Sequence, residues 1–130
     1  LYQALTEDGT KIQHICYDPE DLDLLCDVLN KGKISKDGTW CLFVIGHYSG
    51  KVSDPNKIPL FLNKLNDNNL NADWAVCAFA KEEIDCLKKA VNLGGKIRVG
   101  FENSMLMPNG EMAPNNQTKV KAVKELLNLD

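Results

Sequence analysis

The chain has 130 residues, 44% hydrophobic and 25% charged, with a net charge of -3, an ordinary balance for one globular domain able to bury a core. Mild acidity without any run of Lys or Arg excludes a nucleic-acid surface or an anionic membrane surface, because both need clustered positive charge. The longest apolar run, Trp40 to Ile45, falls far short of the roughly 20 residues that span a bilayer.

Leu1 to Thr10 carries neither the basic region nor the apolar stretch of a signal peptide, so a cytoplasmic chain is expected. Its first residue is Leu rather than Met, which points to a fragment or a processed chain. Lys11 to Asp18 has strand composition and ends in Asp-Pro, a stop for the strand and an entry to a helix. From Pro19 to Gly32 the residues Leu22, Leu25, Cys26 and Leu29 fall at helical spacing. Trp40 to Gly46 is a continuous apolar strand of the kind covered on both faces. Pro55 to Leu65 reads as a helix with Asp54 as N-cap, Pro59 near its first turn, and Ile58, Leu62 and Leu65 on one face. Asp73 to Phe79 is a third strand, and Lys81 to Leu93 a third helix with Ile84, Leu87, Lys88 and Val91 in register. Gly94-Gly95 closes that helix.

The next strand, Lys96 to Asn103, is the one the chain is organised around. With a period of two, Ile97, Val99 and Phe101 share one face and Arg98, Gly100 and Glu102 the other. A face carrying a guanidinium and a carboxylate suits the inward side of a barrel strand, whose C-terminal end is where barrel enzymes work. The alternative is an ion pair that only neutralises itself at a sheet end. A loop from Ser104 to Pro114 contains the turn Pro108-Asn109-Gly110, and a last helix runs from about Asn115 to Leu129 with Val120, Val123, Leu126 and Leu127 on its apolar side.

Four strand-helix units without hairpin signals make an α/β class with a parallel sheet and right-handed crossovers. Two architectures fit: four consecutive βα units forming half of a TIM (β/α)8 barrel, or a small doubly wound parallel sheet. A complete barrel takes about 250 residues, so residues 1–130 would form its C-terminal half and would need a missing N-terminal half or a second copy of the chain to cover the open edges. The five cysteines, Cys16, Cys26, Cys41, Cys77 and Cys86, form no Cys-x-x-Cys pair and read as small buried hydrophobes in a reducing compartment.

The segment GGKIRVGFENSMLMPNGEMAPNN, Gly94 to Asn116, resembles the closing strand and loop of the β-keto acid cleavage enzymes, the family of 3-keto-5-aminohexanoate cleavage enzyme, whose usual form is close to GGHVRVGLEDNLYLPDG. The strand ends at Tyr17-Asp18, Gly46 and Phe79 fall in the order of the second half of that family's barrel. The resemblance implies a zinc-dependent enzyme that exchanges acyl groups between a 3-keto acid and acetyl-CoA, giving acetoacetate and a new acyl-CoA. It implies Glu102 as a zinc ligand and Arg98 as its catalytic electrostatic partner. Asn103 takes the catalytic position where the family's usual form has Asp, and an amide there cannot accept a proton at neutral pH.

The His-x-His pair that completes the family's zinc site does not occur. The two histidines are His14, read as a satisfied residue within its strand, and His47, read as a polar loop residue after a strand end. With one ligand in three, the 130-residue chain should neither hold zinc tightly nor act alone. A non-catalytic doubly wound binding module is the alternative function, and it expects the chain's own helices over the Arg98 face. Asp18 either holds a nearby lysine or metal or caps the helix after it. Met105 and Met107 either line an acyl pocket or fill gaps, and Lys51, Lys57 and Lys81 either meet the phosphates of coenzyme A or meet water.

Overall fold

The computed structural model describes residues 2–129. Its elements alternate along the chain: α1 (Tyr2–Glu7), β1 (Gln13–Cys16), α2 (Asp21–Lys31), β2 (Trp40–Ile45), α3 (Ile58–Asp67), β3 (Asp73–Ala78), α4 (Glu83–Asn92), β4 (Lys96–Ile97) and α5 (Asn116–Leu126). Short 3-10 turns, Pro55–Lys57 and Ala80–Glu82, lead into α3 and α4. No helix among the described residues is long and apolar enough to cross a membrane.

The four strands form one parallel sheet in the order β1-β2-β3-β4. The order never reverses, and right-handed crossovers repeated in one direction carry their helices to a single face. The side chains agree. Cys41, Phe43 and Ile45 of β2 and Val76 and Ala78 of β3 pack with Leu22, Cys26 and Leu29 of α2, Phe61 and Leu65 of α3, Cys86, Leu87 and Ala90 of α4, and Val123 of α5. Leu42, Val44, Ala75, Cys77 and Phe79 gather with Trp40 on the opposite face, and no helix residue joins them. The register sets Ile15, Leu42, Ala75 and Lys96 side by side on this second face. Its outer column is bare: Ile15 is 51% and Tyr17 52% exposed.

Local chemistry accounts for the element ends. The Asp54 carboxylate accepts the Asn56 N–H, as the sequence leads one to expect, and the Asn115 side chain accepts the Thr118 N–H and caps α5. At α2 the acceptor is Asp21, which takes the N–H groups of Tyr17 and Asp18 at 2.7 and 3.0 Å. Phe43 stacks on Phe61 at 4.5 Å and on Trp74 at 5.6 Å between ring centroids, an aromatic ladder under the helices.

Ahead of β1, Tyr2–Glu7 form α1, and the Tyr2 hydroxyl lies 2.9 Å from Nε2 of His14. Three expectations are corrected. The strand expected over Lys96 to Asn103 ends at Ile97. Arg98 N–H continues the ladder to the Val76 carbonyl, and the chain then curls so that Asn103 and Ser104 N–H both donate to the Gly100 carbonyl, at 3.1 and 3.2 Å. Glu102 therefore sits on a turn after the strand. The buried face of α4 is Glu83, Cys86, Leu87 and Ala90, rotated from the expected Ile84, Leu87, Lys88 and Val91, because small Cys86 and Ala90 let the helix approach β3 closely and Glu83 has a buried partner. In α5, likewise, Lys119 and Val123 are buried, while Val120 and Leu126 are exposed.

Candidate functional site

Parallel strands end together, so the loops after β2, β3 and β4 meet at one rim. Gly46 leaves β2 with φ at 92°, a left-handed conformation that favours glycine, and a Cβ there would stand 2.4 Å from Oγ of Ser53. That close approach lets the buried Ser53 hydroxyl donate to the Ile45 carbonyl at 2.7 Å and accept the Phe79 N–H at 2.9 Å. One side chain thus ties the C-terminal ends of β2 and β3. Ala80 follows in a left-handed conformation, φ 56°, and turns the chain into α4.

Arg98 extends from the end of β4 across the helix-free face. Its Nη2 donates to Oδ1 of Asn103 at 3.1 Å and lies 3.4 Å from the Glu102 carboxylate. The three residues named from the sequence are brought together. Asn103 is buried, and with its Oδ1 engaged by Arg98 the amide nitrogen is its donor end. Glu102 is open, its side chain 69% exposed. Arg98 Nε is buried without a partner among the described residues. Beneath the guanidinium lies Cys77, whose thiol burial pushes up against the opposing pull of the Arg98 charge.

The loop after β2 closes over this group. The Tyr48 hydroxyl donates to the Glu102 carbonyl, and its ring sits edge-on to Phe79 at 4.6 Å. The sequence reading passed over Tyr48, because an aromatic in a Gly-Ser loop has no local pattern. Beside it a cavity of about 660 Å³ runs under Tyr48, Val52, Phe79, Met105 and Leu106, with His47, Lys51 and Lys81 also in its lining. Met105 thus belongs to the lining of this cavity, and Met107 does not belong to that lining. His14 bonds Tyr2 and the Trp40 carbonyl, a satisfied strand residue as expected. In His47, Nδ1 accepts the Ser49 N–H at 3.1 Å and lies 2.8 Å from Ser49 Oγ, so the exposed ring is tied to its own loop.

Asp18 resolves toward lysine: its Oδ1 is 3.4 Å from the ammonium groups of both Lys51 and Lys57. Burial pushes its carboxyl up, but Lys51 and then Lys57 outweigh it and hold it below the ordinary range. Lys57 thereby shares Asp18 with the cavity-lining Lys51, and Lys81 lies 3.6 Å from Glu82.

The largest departure from the sequence reading is a buried ion pair behind the rim. Lys119 Nζ lies 2.8 Å from the Glu83 carboxylate, their side chains 0% and 2% exposed, and also donates to the Ser104 carbonyl. Burial pushes the Glu83 carboxyl up, against the pull of Lys119. The only local signal is a charged residue in an apolar register, Glu83 with Cys86, Leu87 and Ala90, and Lys119 with Val123.

The donor chemistry does not complete a zinc site in this chain. Among the described residues no three His, Cys, Asp or Glu side chains converge as metal ligands. Glu102 shares its pocket with His47, short of a full ligand set, and its carboxylate is paired with Arg98.

A family model described as beta-keto acid cleavage enzyme matches residues 1–129. The chain is also similar to a 3,5-dioxohexanoate:acetyl-CoA acetone transferase of Paraburkholderia graminis, 22% identical over 121 residues, covering 92% of this chain and 38% of that protein. It spans about two fifths of the length of that curated relative.

Proposed function

The chain belongs to the beta-keto acid cleavage enzyme family, and we propose that residues 1–130 form the C-terminal half of a (β/α)8 barrel that exchanges acyl groups between a 3-keto acid and acetyl-CoA. The observation that carries this reading is the Arg98 guanidinium spanning Glu102 and Asn103 on a helix-free sheet face, at the C-terminal rim of the strands. The unreversed strand order and the bare Ile15 and Tyr17 column support a barrel wall over a self-contained binding module, whose helices would cover this face. A missing N-terminal half, or a second copy of the chain, closes the sheet.

In this proposal Arg98 fixes the direction of the Glu102 carboxylate and holds Oδ1 of Asn103, so that the Asn103 amide presents N–H donors to a substrate carbonyl oxygen. Donors fixed in advance stabilise the charge that develops on such an oxygen when the carbon beside it loses a proton or a bond. Asn103 accepts no proton, so the general base comes from the completing half. Glu102 is one carboxylate of a zinc ligand set whose histidines this chain lacks. The cavity under Tyr48, Phe79 and Met105 offers an apolar channel for the acyl thioester arm of acetyl-CoA. The printed name of the Paraburkholderia relative, an acetyl-CoA acetone transferase, supports that co-substrate. Five buried free thiols support a reducing, cytoplasmic setting.

The test is turnover of a 3-keto acid with acetyl-CoA by the completed barrel, alongside zinc content per chain. Glu102→Gln and Arg98→Met should each lower kcat/KM by about 100-fold or more at equal amounts of folded protein. Turnover undiminished in both variants would overturn the reading. The isolated chain is expected to carry far less than one zinc, and Glu102→Gln to lower the zinc content of the completed barrel.

A further inference from the structure

We propose that the buried Glu83–Lys119 pair is a positioning strut that sets the Gly100–Ser104 turn, and through it the placement of Arg98, Glu102 and Asn103. The need for a strut follows from the shortness of β4. After Arg98 the sheet ladder no longer holds the chain, so the residues that carry the chemistry lie on a turn whose internal bonds are two N–H groups sharing the Gly100 carbonyl. Besides the Arg98 contacts to the Glu102 and Asn103 side chains, three contacts from outside hold the backbone of that turn. Asn116 accepts the Phe101 N–H at 2.9 Å, Tyr48 donates to the Glu102 carbonyl, and Lys119 donates to the Ser104 carbonyl. The first two lie at exposed positions and the third is fully buried.

Lys119 is positioned in turn by Glu83, the first residue of α4, so the pair locks the starts of α4 and α5 to the carbonyl that follows Asn103. Removing water from around both charges makes the arrangement specific: a lysine deprived of either acceptor would leave a buried ammonium donor unmatched. A pair of apolar residues would fill the same space at similar stability, but would give the Ser104 carbonyl no donor. The pair therefore serves geometry at the rim more than it serves the core.

The proposal rests on the reading of Arg98, Glu102 and Asn103 as the working group, yet its test requires no turnover, so the two fail separately. Amide hydrogen exchange and 15N spectra of the 130-residue chain would be compared with those of the double variant Glu83→Leu/Lys119→Met. Exchange at Asn103 and Ser104 should rise by about tenfold or more, the factor for losing one charge-assisted hydrogen bond, while Leu42, Val44 and Val76 in the sheet stay unchanged. The Arg98 Nε–H and Asn103 side-chain amide resonances should shift with them. Unchanged exchange at Asn103 and Ser104, or an equal rise across the sheet, would overturn the strut. Should the double variant not fold, the native chain decides. Asn103 and Ser104 should show the same denaturant dependence of exchange as Leu87 in α4 and Val123 in α5, and a separate, denaturant-independent opening of the turn would overturn the proposal.

Discussion

Replacing Ser53 by alanine removes a single oxygen and should destabilise the protein far more than its size implies. The hydroxyl is buried and satisfies two backbone groups beyond the regular ladder, donating to the Ile45 carbonyl at 2.7 Å and accepting the Phe79 N–H at 2.9 Å. In Ser53→Ala both groups stay buried without a partner, and each unsatisfied group costs about 1–3 kcal/mol. The sum, about 2–6 kcal/mol, is a large share of the roughly 5–15 kcal/mol that stabilises a domain of this kind. Urea unfolding followed by far-UV circular dichroism would read the loss as a lower midpoint at unchanged slope. The damage should be centred where β2 and β3 end, with faster amide exchange at Phe79 than at Leu42. A loss below about 1 kcal/mol, or no local change at Phe79, would refute the assignment of Ser53 as the tie between the strand ends.

Gly95→Ala should destabilise by about 1–3 kcal/mol through overpacking, because a Cβ there would lie 2.2 Å from the Trp74 ring, itself stacked on Phe43. Near-UV circular dichroism should report the displaced indole, and wild-type stability with an unchanged Trp signal would count against this packing. Lys64, helped by Asn68, holds the Asp23 carboxyl below its ordinary range. Because the folded-state value is lowered, this contribution is present above the ordinary carboxylate pKa and is lost as pH falls through the lowered one. The melting temperature of Asp23→Asn should therefore lie below wild type at neutral pH and converge with it in acid; a gap independent of pH would refute the linkage.

The β4 segment shows both the reach and the limit of a sequence reading. Alternation placed Arg98 on the face opposite Ile97, and the structure has it there, beside Cys77 and away from the helices. The same alternation carried Phe101 onto the core side, where the turn at Gly100 leaves it outside both apolar clusters. A period of two describes a strand only while neighbours hold it in the sheet, and β4 is held for two residues and the Arg98 N–H. The continuous apolar β2 was also read for burial on both sides. Both sides are buried, but Leu42 and Val44 are covered by Trp40, Phe79 and the side chains of the rim in place of a second layer of helices.

By itself the sequence determined the α/β class, the order of its units, the cap at Asp54, the turn at Gly110 and the family, because each is written in residues close together along the chain. Only the tertiary structure decided which face of α4 and α5 turns inward, that Glu83 and Lys119 meet in the core, and that Ser53 joins two strand ends. Those contacts join residues far apart in the chain. A buried charge is tolerable only where its partner arrives from another element, and no local pattern in either element records that partner.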